Sequence, residues 1–542
     1  GGASSEDVVV GDNGEMLRTG SAVGTELIPN LMLRLQTIQN DKGDADQIAL
    51  AHGTKVVLGG VGGDTIQALN GDHLVVGDNG RLDYDGVADN GVLRTVTNTD
   101  IVIGGDDQIT LGEGYTLVAG GKGNDVIDVS ATSAGDASGL AVRDADGKLR
   151  YVAGVLGVAA LREATGSAAD AIALDNSGRT GRFVSGDNTV ITFDDQGGLI
   201  AMLSTDPIAA TGGADTIRIG VANTSAYDIG LQAVVGGMGS DQIEISQVSV
   251  SSDVVLGDNG DYRRASRTYG LTSVVSTRTE AGGVDNIRTG AGDKILIGGF
   301  GADVISAATL ADVMFTGDAE TTAVANRSIV MGDSGQVLFD LSGAAALAEV
   351  SSLALSAGGN DTVTLGDGDV TFVGGYGNDN LTVTPSKIDA SAMRVAFGDN
   401  ASLRYAGIVD KSAQAENLVQ AQTLDQTTAT GGSDTLTLGR AGATMGQVMM
   451  FGGMGADTLT VLGSTADSLM VGDNGMVTVA QVAAAPSVSG QKAMFWGNSQ
   501  SDNGVSMLTR VETLLPEQGT GDSMLTVNGT FTCPIEFQGG KQ

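Results

Sequence analysis

The chain has 542 residues, with 84 glycines, 6 prolines and a formal net charge of −36. Its 41% apolar content is too high for a disordered acidic chain, and glycine without a three-residue period excludes collagen. A surface this acidic repels nucleic acid and anionic membranes, and we therefore expect neither as a partner. The same charge attracts cations. No apolar run approaches the ~18 residues of a membrane span, and the single cysteine, Cys533, excludes an internal disulfide.

The chain repeats a set of three glycine-aspartate elements. The third element, "GDNG", stands alone at residue 11, and the full set first appears as "GDADQI" at 43, "GGVGGDTI" at 59 and "GDNG" at 77. Six matches to the second element, G-G-x-G-x-D-x-U with U a large aliphatic residue, indicate an internal repeat. The acids of these six full turns are Asp64, Asp125, Asp241, Asp303, Asp379 and Asp457.

The first and third elements stand on either side of each full turn. The shorter first element, mostly G-G-x-D, places its acid at Asp46, Asp107, Asp215, Asp285, Asp361 and Asp434. The third element is "GDN" or "GDS", and its candidate ligands are Asp78, Asp258, Asp333, Asp399 and Asp473. A lone "GDNG" is also typical of an ordinary β-turn, so hydrogen-bonded capping of the turn is the alternative role for each aspartate.

The spacing of these aspartates predicts how they stack. In four of the six pairs the first and second elements are 18 residues apart, as from Asp107 to Asp125, whereas Asp215–Asp241 and Asp434–Asp457 are longer. Eighteen residues make two half-turns, each a short strand followed by a glycine turn. A coil of that length stacks its aspartates on one edge, about 4.8 Å apart. We expect the third-element aspartates to continue the same column.

The segments between the turns predict the fold. Stretches such as "TIQAL", "TVTL" and "TLTV" alternate aliphatic with polar residues, which indicates half-buried strands. The predicted fold is all-β: a parallel β-solenoid, similar to a β-roll, with interrupted nonapeptide turns and flanking hairpin or short helical insertions. We expect residues 1–500 to hold about seven repeats of roughly 66–75 residues, each with about three rungs and a flank, and residues 501–542 to hold a partial terminal repeat.

One interval, residues 130–180, is longer than the others. Within it "GLAVRDADGKLRYV" predicts a hairpin with an Asp-Gly turn, and "VAALREATGSAADAIAL" predicts a helix. We regard this excursion as the place for a distinctive contact, with a tolerated surface insertion as the alternative.

Stacked carboxylates repel one another, and glycine turns expose backbone carbonyls. A hard dication between the rungs resolves both problems, and calcium takes 6–8 oxygen ligands of these two kinds. Magnesium demands stricter octahedral geometry, and zinc prefers His or Cys, which are nearly absent here. The sequence therefore predicts Ca²⁺ as the bound ion.

The six full turns resemble the repeats-in-toxin (hemolysin-type) calcium-binding repeat family. The resemblance implies a parallel β-roll in which calcium lies between successive turns, held by the nonapeptide aspartates and glycine carbonyls. The chain departs from the family because its nonapeptides are not contiguous. Their combination with "GDNG" is more similar to giant bacterial surface and adhesin-like proteins than to the toxins.

These features predict an extracellular or cell-surface structural protein rather than an enzyme. The chain lacks H-E-x-x-H and G-x-S-x-G, and we expect its two histidines, His52 and His73, in turns or at the surface. The functional prediction is a secreted, calcium-stabilised solenoid of a bacterial surface adhesin, surface layer or filament. The alternatives are a module that binds glycan or protein through its insertions, and a calcium-binding accessory domain of a secreted enzyme.

The motifs at the two ends of the sequence predict that the repeats pair with further repeats of the same type. "GGASSEDVVVGDNG" has the third element without the first two, whereas "GTGDSMLTV" at 519 resembles the first element. We expect either a homopolymer, in which chains stack head to tail, or neighbouring repeats of a longer chain.

Overall fold

The computed structural model describes residues 7–18, 32–85, 92–130, 141–143, 149–151, 181–195, 198–208, 211–221, 227–247, 249–266, 269–307, 327–340, 346–385, 389–406, 417–425, 430–472, 474–479, 508–512, 524–528 and 535–538. Throughout these ranges the structure is all-β without a helix, which confirms the predicted fold class. No helix there is long and apolar enough to cross a membrane. The chain divides into two compact units, Gly1–Ala168 with Leu174–Leu271 and Ala169–Ala173 with Thr272–Gln542.

The first unit contains the strands up to β22 and the start of β23. Their bounds are β1(Asp7–Val10), β2(Gly14–Arg18), β3(Met32–Thr37), β4(Gln47–Leu50), β5(Lys55–Leu58), β6(Thr65–Ala68), β7(His73–Val76), β8(Gly80–Tyr84), β9(Leu93–Asn98), β10(Gln108–Leu111), β11(Thr116–Ala119), β12(Val126–Val129), β13(Ala141–Arg143), β14(Leu149–Tyr151), β15(Arg182–Ser185), β16(Thr189–Phe193), β17(Leu199–Ser204), β18(Thr216–Ile219), β19(Tyr227–Val235), β20(Gln242–Ile245), β21(Ser249–Leu256), β22(Gly260–Ser266) and β23(Tyr269–Ser276).

The second unit contains the remaining strands. Their bounds are β24(Asn286–Thr289), β25(Lys294–Gly299), β26(Val304–Ala307), β27(Arg327–Asp333), β28(Gly335–Asp340), β29(Ala346–Ser352), β30(Thr362–Leu365), β31(Asp369–Gly375), β32(Asn380–Val383), β33(Asp389–Asp399), β34(Ala401–Ala406), β35(Asn417–Thr423), β36(Thr435–Phe451), β37(Thr458–Val471), β38(Met476–Val479), β39(Leu508–Glu512), β40(Met524–Asn528) and β41(Ile535–Gln538).

Within the described residues, the repeats of the first unit form three sheets. The outer parallel sheet has the order β4-β6-β10-β12-β18-β20. The central parallel sheet has the order β1-β5-β7-β11-β15-β19-β21. The antiparallel sheet has the order β2-β3-β8-β9-β16-β17-β22.

The second unit has the same three sheets. Its outer parallel sheet has the order β24-β26-β30-β32-β36-β37-β40. Its central parallel sheet has the order β25-β27-β31-β33-β36-β37-β41, because the long strands β36 and β37 run from one sheet into the other. Its antiparallel sheet joins residues 272–276 of β23 to β28-β29-β34-β35-β38-β39.

Burial follows the sequence pattern. In β10, Gln108 and Thr110 are exposed while Ile109 and Leu111 are buried, as period-two alternation predicts. In the central strand β7 all four residues are buried, so the central sheet is covered on both faces. The outer sheet covers one face, and the hairpins of the antiparallel sheet cover the other.

Each repeat makes two coils and one hairpin, so the expected three rungs per repeat are wrong. After the hairpin β8–β9 the chain runs through β10, β11, β12 and β15, and then enters the hairpin β16–β17. The third element directs the chain out of the coil and into a hairpin. In one such turn the Gly80 N–H donates to Thr37 Oγ1 of the preceding hairpin, 3.1 Å away.

The excursion contains the expected hairpin, in which β13 and β14 pair antiparallel as a sheet of their own. The expected helix lies outside the described residues, as do Cys533 and most of the partial terminal repeat. The expectation of a turn or surface position for His73 is wrong, because this residue is buried in β7. Its ring Nε2 lies 2.7 Å from the Leu69 carbonyl oxygen, and burial lowers its pKa to about 4.

Candidate metal centre

The full G-G-x-G-x-D turns require glycine at their second and fourth positions. In the turn 120–125, Gly121 and Gly123 have φ angles of 116° and 147°, in the left-handed region that side chains rarely adopt. A Cβ on Gly123 would lie 2.1 Å from the carbonyl oxygen of Gly105. The same two positions have positive φ in all six full turns, so these glycines set the backbone path at the aspartate edge.

The aspartates of the first and second elements form one column in each unit. In each column, the Oδ1 atom of every aspartate after the first accepts a hydrogen bond, 2.6–2.9 Å long, from the backbone N–H of the preceding aspartate. The column runs through Asp46, Asp64, Asp107, Asp125, Asp215 and Asp241 in the first unit and through Asp285, Asp303, Asp361, Asp379, Asp434 and Asp457 in the second.

This order confirms the predicted stacking and extends it. The pairs Asp215–Asp241 and Asp434–Asp457 stack like the others although they are not 18 residues apart, with Asp215 N to Asp241 Oδ1 at 2.7 Å. The column also crosses from one repeat to the next, since the Asp125 N–H donates to Asp215 Oδ1 over 2.6 Å. Residues far apart in the chain are therefore neighbours on this edge.

The second carboxylate oxygen of the column aspartates, Oδ2, distinguishes this column from ordinary buried turns. For nine of the twelve aspartates, Oδ2 is buried and makes no hydrogen bond. Such atoms are costly, because desolvating a charged or polar oxygen without a partner is unfavourable. The nine are Asp46, Asp64, Asp107, Asp125, Asp215, Asp303, Asp361, Asp379 and Asp434.

Glycine carbonyls lie beside these orphaned oxygens. The position that a Cβ on Gly59 would take is 2.3 Å from Asp64 Oδ2 and 1.8 Å from the Gly77 carbonyl oxygen. The corresponding position at Gly120 is 2.3 Å from Asp125 Oδ2 and 2.1 Å from the carbonyl oxygen of Gly186. An aspartate Oδ2 and a glycine carbonyl oxygen also lie close to the position that a Cβ would take at Gly11, Gly77, Gly186, Gly236, Gly298, Gly332, Gly374, Gly398 and Gly452. Glycine is needed there because any side chain would fill the space between the two kinds of oxygen.

The column is electrostatically unfavourable by itself. Burial raises the pKa of Asp64, Asp125 and Asp303 to about 7. Burial, with repulsion from Asp125, raises the pKa of Asp107 to about 10. Burial also raises the pKa of Asp215, Asp361, Asp379 and Asp434 well above the ordinary range. A group that favours its neutral form this strongly needs either a proton or a cation.

The donor set fits a hard dication. In the ranges that the structure describes, no three carboxylate, histidine or cysteine side chains converge on one point. A metal ion on this edge would therefore be held by carboxylate oxygens of the column together with glycine carbonyls. Oxygen-only ligands of these two kinds suit calcium and exclude the thiolate and imidazole sites of zinc.

The third-element aspartates have a different position, so the expectation that they continue the column is wrong. Asp78 Oδ1 accepts the Gly105 N–H at 2.9 Å, and its Oδ2 accepts the Lys122 N–H at 2.5 Å. The carboxylate thus joins the first and second elements of the next repeat. Asp333 makes the same bonds with Gly359 and Tyr376.

Asp399 accepts hydrogen bonds from the N–H groups of Gly432 and Met454 in the same way. Burial raises the pKa of Asp78 to about 9. Asp258 is buried in the equivalent turn, and Asp473 lies outside the described residues. A metal-ligand role for these five residues stays a prediction, because capping of two turns already accounts for Asp78, Asp333 and Asp399.

Two further buried acids escaped the sequence reasoning. Asp206 accepts hydrogen bonds from the backbone N and the Nδ2 of Asn188 at 3.0 and 2.8 Å. Asp425 does the same for Asn400 at 2.8 and 3.0 Å. Each lies six residues before the glycine pair of a first element, in "DPIAATGG" and "DQTTATGG". That shared spacing could have identified them as anchors of the third-element turn.

The opposite edge of the coils is closed by protein groups. The buried Lys55 Nζ donates to the His52 carbonyl oxygen at 2.8 Å and lies 2.9 Å from Asp7 Oδ2. Lys294 Nζ donates to the carbonyl oxygen of Ala291 at 2.9 Å. At these two turns a lysine ammonium group takes the turn carbonyl, whereas the orphaned groups of the aspartate column are carboxylate oxygens.

The chain matches no protein-family model, no curated protein and no solved structure. The similarity to the repeats-in-toxin family therefore depends on the turn motifs alone. What the chain does has to be argued from the column, its glycine carbonyls and the exposed faces.

Proposed function

We propose that this chain is an extracellular structural β-solenoid stabilised by calcium, as part of a bacterial surface adhesin, surface layer or filament. One observation supports this most strongly: the column of buried Oδ2 atoms that make no hydrogen bond, each beside a glycine carbonyl. A turn with a purely structural role gains nothing from a buried Oδ2 that makes no hydrogen bond, yet this arrangement occurs nine times.

The chain's own residues prepare this edge for a cation. The Oδ1 atoms hold the backbone of the preceding turn, which fixes the orientation of each carboxylate. The glycines leave room for carbonyl and carboxylate oxygens to approach one another. Bound calcium would supply the positive charge that lets the carboxylates be buried in ionised form, so its binding energy would add to the folding energy.

The same chemistry supports the proposal of an extracellular location. Extracellular calcium modules have dissociation constants of about 10⁻⁴–10⁻³ M, so they fill only where calcium is abundant. A repeat protein whose coils contact mainly their neighbours suits mechanical extension. The net charge of −36 keeps such a body soluble and attracts the ion.

Circular dichroism of the protein during metal removal and return tests this proposal. With excess chelator at pH 7.5 we expect the β signal and the melting temperature to fall. Calcium should restore both, whereas magnesium should restore them poorly because of its stricter geometry. An unchanged spectrum and melting temperature, after metal removal has been verified by elemental analysis, would refute the proposal.

The second candidate is a binding module that recognises glycan or protein. The observation that favours it is the hairpin β13–β14, which forms a sheet separate from the three sheets of the repeats. Pull-down of cell-surface glycans or proteins by the chain with and without residues 130–180 separates the two functions. Loss of capture on deletion, with the calcium response intact, would favour the binding module.

A further inference from the structure

Several turns of this chain contain an asparagine followed by glycine, a pair that can react with itself. The glycine nitrogen attacks the asparagine Cγ, because glycine has no side chain to obstruct the approach. A new N–Cγ bond forms, the Cγ–Nδ2 bond breaks and ammonia leaves. Water then opens the resulting succinimide ring to aspartate or to isoaspartate, so the net change is deamidation.

Five Asn-Gly pairs lie entirely within the described residues, at 13–14, 70–71, 79–80, 259–260 and 474–475. Three others, which begin at residues 90, 503 and 528, lie at least partly outside them. The reaction needs a glycine N–H that can lose its proton to hydroxide and an asparagine side chain that can rotate onto that nitrogen. A buried pair whose N–H is hydrogen-bonded must first open locally, and that opening costs free energy.

Three of the five pairs are held by the preceding hairpin. Their asparagines, Asn79, Asn259 and Asn474, are each 1% exposed. The N–H of the glycine that follows each asparagine donates to a threonine or serine hydroxyl oxygen, over 2.7–3.1 Å. These donors and acceptors are Gly80 and Thr37, Gly260 and Ser204, and Gly475 and Thr423.

The pair at 13–14 occupies the same kind of turn without this protection. Asn13 and Gly14 are both exposed. The Ile38 N–H donates to the Asn13 carbonyl oxygen at 2.8 Å, so Gly14 faces Thr37 as a non-hydrogen-bonded pair and its N–H points away from β3. Among the described residues no strand lies on that side of β2, and the Gly14 N–H makes no hydrogen bond there.

The pair at 70–71 separates exposure from access to the nitrogen. Asn70 is exposed like Asn13. The Gly71 N–H, however, donates to the Glu113 carbonyl oxygen at 2.7 Å, and Asn70 Oδ1 accepts the Glu113 N–H at 3.2 Å. The next coil therefore fixes both reacting groups. Of the five pairs, the one at 13–14 alone combines an exposed side chain with a glycine N–H open to solvent.

We propose that Asn13 is a site of spontaneous deamidation that loosens the turn cap made by Asp12. Asp12 Oδ1 accepts the Asp44 N–H at 3.4 Å, and its Oδ2 accepts the Val61 N–H at 2.5 Å. Isoaspartate at position 13 lengthens the main chain by one atom directly after this cap. Deamidation also removes the Nδ2 group that donates to the Lys42 carbonyl oxygen at 3.1 Å.

The rate of deamidation at each pair tests the proposal. Calcium-saturated protein is incubated at pH 8, and its peptides are analysed over time by mass spectrometry, in which fragmentation distinguishes isoaspartate from aspartate. We expect Asn13 to convert at least about 10-fold faster than Asn70, Asn79 and Asn259, because each tenfold slowing corresponds to about 1.4 kcal/mol of local opening free energy. In urea the five pairs should convert at similar rates.

Two results would overturn the proposal at this stage. One is conversion of Asn13 no faster than that of the other four asparagines in the folded protein. The other is an equal advantage of Asn13 in urea, since local sequence and not the structure would then set its rate.

Hydrogen exchange tests the effect on the cap. Asn13→Gln is the matched control, because it keeps a side-chain amide but would have to close a larger ring, which forms more slowly. After ageing, the Asp44 and Val61 amides should exchange faster in the parent protein and not in Asn13→Gln. The Gly105 and Lys122 amides, which Asp78 holds in the next repeat, should be unchanged in both proteins. Exchange at Asp44 and Val61 that stays unchanged after Asn13 has converted, or that rises equally in the variant, would overturn the proposed loosening.

Discussion

Replacing Asp125 by asparagine should have opposite effects with and without calcium. Asparagine keeps the Oδ1 acceptor that bonds the Asp107 N–H at 2.8 Å, and it places a neutral NH₂ group where Oδ2 lies beside the Gly186 carbonyl oxygen. Without metal, the change removes a carboxyl whose pKa is raised by burial from 3.8 to about 7. With calcium, on the proposed function, it removes a ligand of the ion.

The magnitude follows from that pKa. A shift from 3.8 to about 7 corresponds to about 4 kcal/mol of ionisation energy that favours the unfolded chain at pH 7.5. Asp125→Asn should therefore stabilise the chelated protein by up to about 4 kcal/mol, which raises the melting temperature by on the order of 10 °C. In excess calcium the same variant should melt several degrees below the parent protein.

Differential scanning calorimetry of both proteins, in chelator and in calcium, measures the two shifts. Asp128→Asn is the matched control, because Asp128 lies three residues away on the outward side of β12 and makes no part of the column. We expect it to change the free energy of unfolding by less than about 0.5 kcal/mol in either condition. A shift of the same sign in chelator and calcium for Asp125→Asn would refute the reasoning.

Three further predictions concern pH, the turns and assembly. Because the pKa values of Asp64, Asp125 and Asp303 are raised, the chelated protein should be most stable near pH 4 and lose stability as the pH rises through about 7. The calcium-loaded protein should gain stability over the same range, because protons compete with the ion. Melting scans across pH 4–8 check the two signs, and parallel curves would contradict them. Gly123→Ala should cost at least about 1–3 kcal/mol in chelator and calcium alike, because a Cβ would clash with the Gly105 carbonyl oxygen at positive φ, and urea unfolding that gives no loss would count against this turn geometry. If chains stack head to tail, light scattering at high protein concentration in calcium should detect polymers that deletion of residues 1–14 abolishes, and a chain that stays monomeric would exclude stacking.

The repeat of the glycine-aspartate elements was sufficient to predict much of the fold. The 18-residue spacing of Asp107 and Asp125 is that of one coil, so it indicated both the parallel strands and the stacking of the two acids. Alternation in segments such as "TVTL" correctly separated the core side of the outer strands from the solvent side. Both are local patterns, which a sequence records directly.

The features that escaped prediction depend on contacts between distant parts of the chain. Asp78 has the same turn chemistry as the column residues, and only its bonds to Gly105 and Lys122 reveal that it caps the next repeat. The stacking of Asp215 on Asp125 spans 90 residues and the whole excursion. Likewise His73 looks like a surface residue beside "NGD", but it is buried in the central strand β7, where its ring lies 2.7 Å from the Leu69 carbonyl oxygen at the end of the outer strand β6.

The most direct test of the central claim is the number of calcium ions bound per chain. The protein is dialysed to equilibrium against calcium at pH 7.5, and bound calcium is measured by atomic emission for the parent protein and for Asp303→Asn. We expect several ions per chain, a loss of one or two ions in the variant, and a melting temperature that rises with free calcium until the sites are filled. Less than one bound ion per parent chain would contradict the claim that the aspartate column is a calcium site.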